Sequence, residues 1–239
     1  MKLLISPFNP DEAKIVIKSE VVDILDVKNP LEGSLGANFP NVIHEIVGLV
    51  KANGNNLKLS ATIGDLGNFP GTASLAALGA ASLGLDYIKV GIKISDEQSA
   101  AYLLKKVTQA VKDHDSKIKV VGATYADFER FEALNPLSLP EIVTESGADV
   151  AMIDTGIKSD GKSLFDFLND TILEKFLADC KHYGILTALA GSLKVDHLEK
   201  LKELNPDIIG IRGAVCEKND RLNGTMKIEK ILKFKNQMN

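Results

Sequence analysis

The residues with the clearest chemical potential lie in Val22 to Asn38, where Asp26 and Lys28 stand two positions apart just before the loop of Pro30, Gly33 and Gly36. Residues two apart on a strand share a face, so Ile24, Asp26 and Lys28 line up on one side. A carboxylate beside an amine can hold an anion, move a proton or, with the amine neutral, attack a carbonyl. A surface ion pair at a strand edge is the plain alternative. Against it stands recurrence: Lys89 sits in the apolar run Asp86 to Gly91, and Asp154 ends the run Asp149 to Thr155 with Lys158 just beyond. Ser60 and Thr62, Gly191 with Ser192, and Arg212 with Gly213 close three further apolar runs.

Lysines crowded together and partly desolvated favour the neutral amine, because like charge and burial both work against the cation. A neutral amine can form an iminium ion, an electron sink that lets a neighbouring carbon lose a proton, join an aldehyde or expel a β-phosphate. Asp26 and Asp154 could then move protons and balance charge. Anion binding without covalent chemistry remains the alternative for Lys89 and Lys158. Gly191-Ser192 and Arg212-Gly213 fall where barrel enzymes hold phosphate, with backbone N–H groups and a guanidinium as ligands. Tight turns that need glycine compete with that reading.

The elements that would carry these groups alternate. Apolar runs at Lys2–Ser6, Val22–Val27, Leu57–Thr62, Asp86–Gly91, Lys117–Ala123, Asp149–Thr155, Ile185–Ala190 and Asp207–Ile211 are each followed by a helical pattern. Helices are expected after Asn9 or Asp11 through Lys18, around Val42–Val50, over Thr72–Leu83, from Ser95 to Lys112, over Leu139–Ser146 and Ser163–Tyr183, from Val195 to Leu204 and around Ile228–Lys235. Gly64 to Gly71 reads as a loop. Eight strand–helix units in 239 residues, without linker or composition break, predict one domain over 1–239: a single (β/α)8 barrel with its site at the C-terminal strand ends. An open doubly wound sheet would need a Gly-rich turn after the first strand, and Ser6-Pro7-Phe8-Asn9 is not one.

Composition narrows the partners. A net charge of −4 with no basic run argues against nucleic acid or an anionic membrane. No apolar stretch is long enough for a bilayer and Met1 to Pro7 has no export pattern, so a cytoplasmic protein is expected. Cys180 and Cys216 are too few for a disulfide framework or zinc site, and no metal-ligand spacing or Gly-x-Ser-x-Gly elbow occurs. His44, His114, His182 and His197 fall in or beside helices, outside the barrel. Assembly into a homo-oligomer is left open.

The motifs Asp26 to Pro40, Asp86 to Gly91, Asp149 to Lys158, Ala188 to Ser192 and Gly210 to Cys216 together closely resemble the (5-formylfuran-3-yl)methyl phosphate synthase family of methanofuran biosynthesis, whose members are also called 4-(hydroxymethyl)-2-furancarboxaldehyde-phosphate synthases. The likeness spans the chain. It implies a (β/α)8 barrel and a carbon–oxygen lyase that joins two molecules of glyceraldehyde 3-phosphate, with loss of phosphate and water and without metal or cofactor. Carried over by position, Lys28 matches the Schiff-base lysine and Lys89 the proton acceptor, while Asp26, Asp154 and Lys158 match further mouth residues. The chain departs from the family pattern in the loops Gly64 to Gly71 and Lys93 to Asp96. A class I aldolase acting on a sugar phosphate and a non-catalytic phosphosugar-binding barrel are the competing functions.

Overall fold

In the computed structural model, which describes residues 1–54, 56–131 and 133–238, eight parallel strands close into one barrel. They are β1 (Lys2–Ile5), β2 (Ile24–Val27), β3 (Lys58–Leu66), β4 (Tyr87–Ile92), β5 (Lys119–Tyr125), β6 (Val150–Asp154), β7 (Leu186–Leu189) and β8 (Ile208–Ile211). Closure is made between the first and last, with Lys2 opposite Ile208 and Ile5 opposite Ile211. The eight main helices are α1 (Pro10–Ser19), α2 (Pro40–Asn53), α3 (Pro70–Ala81), α4 (Glu97–His114), α5 (Leu139–Ser146), α6 (Asp170–Tyr183), α7 (Leu198–Leu204) and α8 (Ile228–Met238). Every strand is therefore covered by a helix, and its buried apolar runs follow from having no solvent face. None of the described helices is long and apolar enough to cross a membrane.

Local signals explain most element starts. The Asn9 side chain accepts from the Glu12 N–H ahead of Pro10, Asp96 accepts from Ser99 N–H, and Asn169 accepts from Ile172 N–H. The cap of α4 is thus Asp96 rather than Ser95. The long helix expected from Ser163 is instead a short turn at Leu164–Asp166, closed by a Ser163–Asp166 capping box, followed by α6. Likewise α7 is preceded by a single tight turn at Val195–His197.

The largest difference from the expected pattern is β3. It runs on to Leu66, through part of the expected Gly64–Gly71 loop, because its register against β4 shifts between Thr62 and Asp65. Gly64 takes a φ of +117°, which a side chain would resist, and so accommodates the bulge. The extension delivers Asp65 above the barrel rim. There its carboxylate accepts the Leu35 N–H at 3.1 Å and the Tyr125 hydroxyl, tying the β2–α2 loop to β5.

Inside the barrel, Leu4, Ile24, Tyr87, Val121, Val150, Met152, Ala188 and Ile208 pack together. This apolar plug fills the lower barrel. Above it the inward positions become Ser6, Asp26, Ser60, Lys89 and Asp154, all buried, so the change from apolar to polar marks the floor of the site.

Candidate active site

Four consecutive strands build one sealed polar cluster. Lys89 on β4 donates to the Asp26 carboxylate at 2.7 Å, and that carboxylate also accepts from Ser60 on β3 at 2.7 Å and from Ser6, just past β1, at 3.0 Å. Asp26 has no solvent exposure and Lys89 has 1%. Burial drives the Asp26 carboxyl upward, but Lys89 and Lys28, with hydrogen bonds from Lys89 and Ser60, outweigh it and hold the group below its ordinary range. Thr62, the neighbouring hydroxyl on β3, turns away and donates to the Gly36 carbonyl at 2.6 Å, which makes it a loop brace.

A second cluster rises from β6. Asp154 accepts from its own neighbour Thr155 N–H at 2.8 Å and from Lys158, whose ammonium also donates to Thr155 Oγ1 at 2.7 Å. Burial pushes the Asp154 carboxyl up, while Lys158 and Lys28 pull it down further, and it ends well below the usual carboxylate value. The Lys158 amine is lowered, by burial more than Asp154 can offset.

Lys28 stands between the clusters, just past β2. It is 7% exposed, and its nearest carboxylate oxygen, on Asp154, lies 4.0 Å away. That separation is an ion pair but not a hydrogen bond. Burial is the largest influence on Lys28; Asp154 opposes it, and Lys89, Lys158 and Arg221 reinforce it, bringing the amine from 10.5 to about 7. Of the three lysines, this one has no acceptor holding its proton at bonding distance among the described residues. It is therefore the amine best placed to act as a nucleophile near neutral pH.

These groups open into a cavity of about 290 Å³ lined by Lys28, Lys89, Asp154 and Lys158 on one side and by Gly191, Ser192, Arg212 and Gly213 on the other. Gly191 (φ +108°) approaches Thr155 so closely that a Cβ would lie 3.0 Å from its methyl and 3.2 Å from its backbone nitrogen. Ser192 follows in the left-handed region at φ +49°. Among the described residues, the N–H groups of Gly191, Ser192, Gly213 and Ala214 have no hydrogen-bond acceptor. Lining a cavity rich in lysine, they are suited to an anion.

Arg212 lines the same cavity, yet its guanidinium is committed elsewhere. It forms a two-pronged pair with Glu12 on α1 (2.6 and 3.1 Å), and also donates to the Ser6 carbonyl at 2.8 Å and the Arg221 carbonyl at 2.8 Å. Its contribution to the mouth is to fix β1, α1 and the β8–α8 loop together. The half-buried arginine that does reach the cavity with an uncommitted fork is Arg221, whose side chain makes one hydrogen bond among the described residues, to the Gly33 carbonyl at 3.3 Å. Neither Arg221 nor Glu12 carried a recognisable signal: the first lies in a loop without periodicity, and the second reads as an ordinary first-turn acid.

Loop-to-loop bonds complete the rim. Ser34 donates to the Thr155 carbonyl at 2.7 Å, and Asp127 accepts from Gly156 N–H at 2.6 Å and Ile157 N–H at 2.9 Å, which holds the segment carrying Lys158. The other titratable candidates stay away from the mouth. His44, His114 and His182 are exposed on α2, α4 and α6, and His197 stacks its edge on Phe165. Cys180 and Cys216 are buried and unpaired, with burial raising their thiols to about 12 and about 11.

Against known proteins, residues 3–235 match the model of the 4-HFC-P synthase family. The chain belongs to that family. A relative from Methanosarcina barkeri, named (5-formylfuran-3-yl)methyl phosphate synthase, is 52% identical over 235 residues, covering 97% of this chain and 98% of its own. One of the same name from Methanocaldococcus jannaschii is 49% identical over 236 residues, covering 98% of both. The chain is thus an enzyme of the 4-HFC-P synthase family. Among solved structures, 3-hexulose-6-phosphate synthase superposes with a TM-score of 0.64 at 16% identity over the full length of both chains. Phosphoribosyl anthranilate isomerase from Thermus thermophilus gives 0.64 at 15% identity, covering 100% of this chain and 98% of its own. At such identities the likeness speaks for the barrel alone.

Proposed function

We propose that this enzyme joins two molecules of glyceraldehyde 3-phosphate into (5-formylfuran-3-yl)methyl phosphate through an imine on Lys28, as a step of methanofuran biosynthesis, without metal or cofactor. The observation that carries the reading is the Lys28 amine itself, buried among cations, brought down to about 7 and, among the described residues, bonded to no acceptor. The product named for the relatives fixes the atom balance: two trioses lose one phosphate and two waters. One water carries away the carbonyl oxygen of the triose that keeps its phosphate, because the water released when the Lys28 imine forms is taken back when it is hydrolysed. The second is a hydroxyl lost as the ring aromatises.

Connectivity follows from the same count. The phosphate-bearing carbon of the product hangs from a ring carbon with three carbon neighbours, so that ring carbon is C2 of the triose that keeps its phosphate. The new carbon–carbon bond joins it, as the carbon of an enediol that has given up its C2 proton, to C3 of the other triose, which loses its phosphate. The ring oxygen is then the second triose's own C2 hydroxyl, the formyl oxygen comes from the water that hydrolyses the imine, and no oxidant is needed.

Each residue takes a role that its surroundings support. Lys28 adds to the aldehyde of the triose that will lose phosphate. The Lys89–Asp26 pair, joined at 2.7 Å, takes the proton from C2 and holds it next to the carboxylate. The electron pair from C2 forms a C2–C3 double bond, the C3–O bond breaks, and phosphate leaves with the bonding electrons. Asp154 balances the iminium charge from 4.0 Å, and Lys158 keeps Asp154 ionised. The retained phosphate is placed at Gly191, Ser192 and Gly213, beside Arg212.

The test incubates enzyme and glyceraldehyde 3-phosphate and follows furan absorbance and free phosphate together, with borohydride trapping of the adduct by mass spectrometry. Wild type yields both products and a modified Lys28, while Lys28→Arg yields none. A reversible aldol product in place of furan would identify a simple aldolase, and binding without any adduct a phosphosugar-binding barrel.

A further inference from the structure

The reaction proposed above handles two phosphate groups with different fates, one retained and one expelled, whereas the Gly191–Ser192–Gly213 corner accounts for one. A second place is needed. The main cavity, at about 290 Å³, lies at the small end of ligand sites. It adjoins a second cavity between the β2–α2 loop and the β8–α8 loop, lined by Pro30, Gly33, Ser34, Gly156, Asp220 and Leu222 among others. Lys158, Asn219 and Arg221 line both cavities and so form their shared wall.

The wall is built rather than incidental. The backbone carbonyl of Arg221 is held by Arg212 Nε at 2.8 Å, and Arg212 is itself locked by Glu12. The preceding Asp220 closes its own turn, accepting from Leu222 N–H at 2.9 Å and Asn223 N–H at 3.0 Å. Lys230 on α8 donates to the Cys216 carbonyl at 2.6 Å and to the Asn219 side chain at 3.1 Å. Lys218 and Asn219 both hold left-handed backbone at φ +51° and +57°, an arrangement that persists only when its surroundings enforce it. A loop pinned in this way presents Arg221 at a fixed position, with no carboxylate within ion-pairing distance among the described residues.

Charge points the same way. The main cavity is lined by Lys28, Lys89, Lys158, Lys194, Arg212 and Arg221 against the single carboxylate Asp154. Asp26 neutralises Lys89 from behind, Glu12 neutralises Arg212, and Asp154 serves Lys158 and Lys28. Of the two cations left over, Lys194 is exposed, and Arg221 is a planar, permanently charged fork, the geometry that binds phosphate through paired hydrogen bonds.

We propose that Arg221 and Lys158 form the subsite that receives the phosphate expelled from C3, and that the outer cavity beyond them is its exit to solvent. The departing oxygen, which takes the C3–O electron pair, is met by the guanidinium and the ammonium, so leaving-group charge develops against two cations already in place. Inorganic phosphate then crosses the Lys158–Arg221 wall outward while the carbon skeleton stays on Lys28. The retained phosphate is anchored on the opposite side, so the two groups never compete for one site.

The test titrates inorganic phosphate by calorimetry into wild type, Arg221→Met and Arg221→Gln protein with no triose present, alongside a thermal melt of each. Wild type binds two phosphates, and both variants bind one normally and the other at least tenfold more weakly, which is about 1.4 kcal/mol. Phosphate inhibition of furan formation weakens in parallel, while borohydride still traps the triose on Lys28. Arg221→Gln, whose amide can keep the Gly33 contact, decides the matter if Arg221→Met unfolds. Two phosphates bound unchanged by the folded variants would overturn the subsite. Arg221-dependent phosphate binding in a wild type that makes no furan would overturn the reaction instead, leaving an anion site without this role.

Discussion

Replacing Lys28 by methionine should make the protein more stable, and the gain should depend on pH in a direction set by the burial of the amine. Methionine matches the length of the lysine stem and carries no charge. In the folded chain Lys28 titrates at about 7 against an ordinary 10.5. Below pH 7 both folded and unfolded forms carry the proton, and the folded state is penalised by about 5 kcal/mol. Between pH 7 and 10.5 the folded amine is neutral while the unfolded one is still charged. The unfolded state then binds more protons, so wild-type stability rises by about 1.4 kcal/mol per pH unit through that window. The methionine variant lacks this rise. Its advantage should be about 5 kcal/mol at pH 6 and fall to about 2 kcal/mol at pH 9. Asp154 stays paired with Lys158 across this range, so it adds no slope of its own. Urea unfolding of both proteins at pH 6, 7, 8 and 9 measures the gap. A gap that stays constant would mean that Lys28 titrates normally in the folded chain, and the argument for a neutral nucleophile would fall.

Other perturbations test the surrounding parts. Lys89→Met leaves Asp26 buried with only two hydroxyl donors; it should cost about 3–5 kcal/mol at pH 7, less at pH 5 as Asp26 takes up a proton, and should abolish furan formation while triose is still trapped on Lys28. Asp154→Asn removes the group that most supports the Lys28 cation, so the pH midpoint of borohydride trapping should move below 7; an upward move would refute the assigned sign. Glu12→Gln breaks the two-pronged hold on Arg212 and should lower stability by about 3 kcal/mol in urea melts, with a weaker KM for triose phosphate as the β8–α8 loop loosens. Gly91→Ala would drive a methyl into the Tyr125 hydroxyl that bonds Asp65, and a loss of about 1–3 kcal/mol is expected by thermal or urea unfolding.

The barrel was legible because each strand is buried on both sides and so reads as a short apolar run, with a polar residue wherever the run reaches the mouth. Asp26, Lys89 and Asp154 were visible for that reason. The extension of β3 was not, since Gly64 and Asp65 have the look of a loop and become strand only through a bulge that the partner β4 imposes. Arg212 shows the limit more sharply. Its place after β8 puts it at the mouth, but which way a guanidinium turns depends on Glu12, 200 residues earlier in the chain. Arg221 has no local signature for the same reason in reverse: it matters because Arg212 holds its backbone and no carboxylate among the described residues pairs with its side chain. Sequence pattern locates positions on a barrel; the pairing of charges across it is decided by distances that no local spacing encodes.

The two aspartate–lysine pairs, similar in composition, are made unlike by their surroundings. Asp26 is surrounded by donors from three neighbouring strand ends, and Lys89 is fixed to it at hydrogen-bond length, fully enclosed. A proton taken by Lys89 stays next to a carboxylate that cannot move. Asp154 instead is shared, close to Lys158 and stretched to 4.0 Å from Lys28. That half-satisfied contact keeps Lys28 oriented without securing its proton. Had Asp154 bonded Lys28 as it does Lys158, the cation would be stabilised and nucleophilicity lost; had it been absent, nothing would balance the iminium once formed. The separation therefore serves both states of the same nitrogen, and the price is the strained charge balance that the methionine variant is expected to relieve.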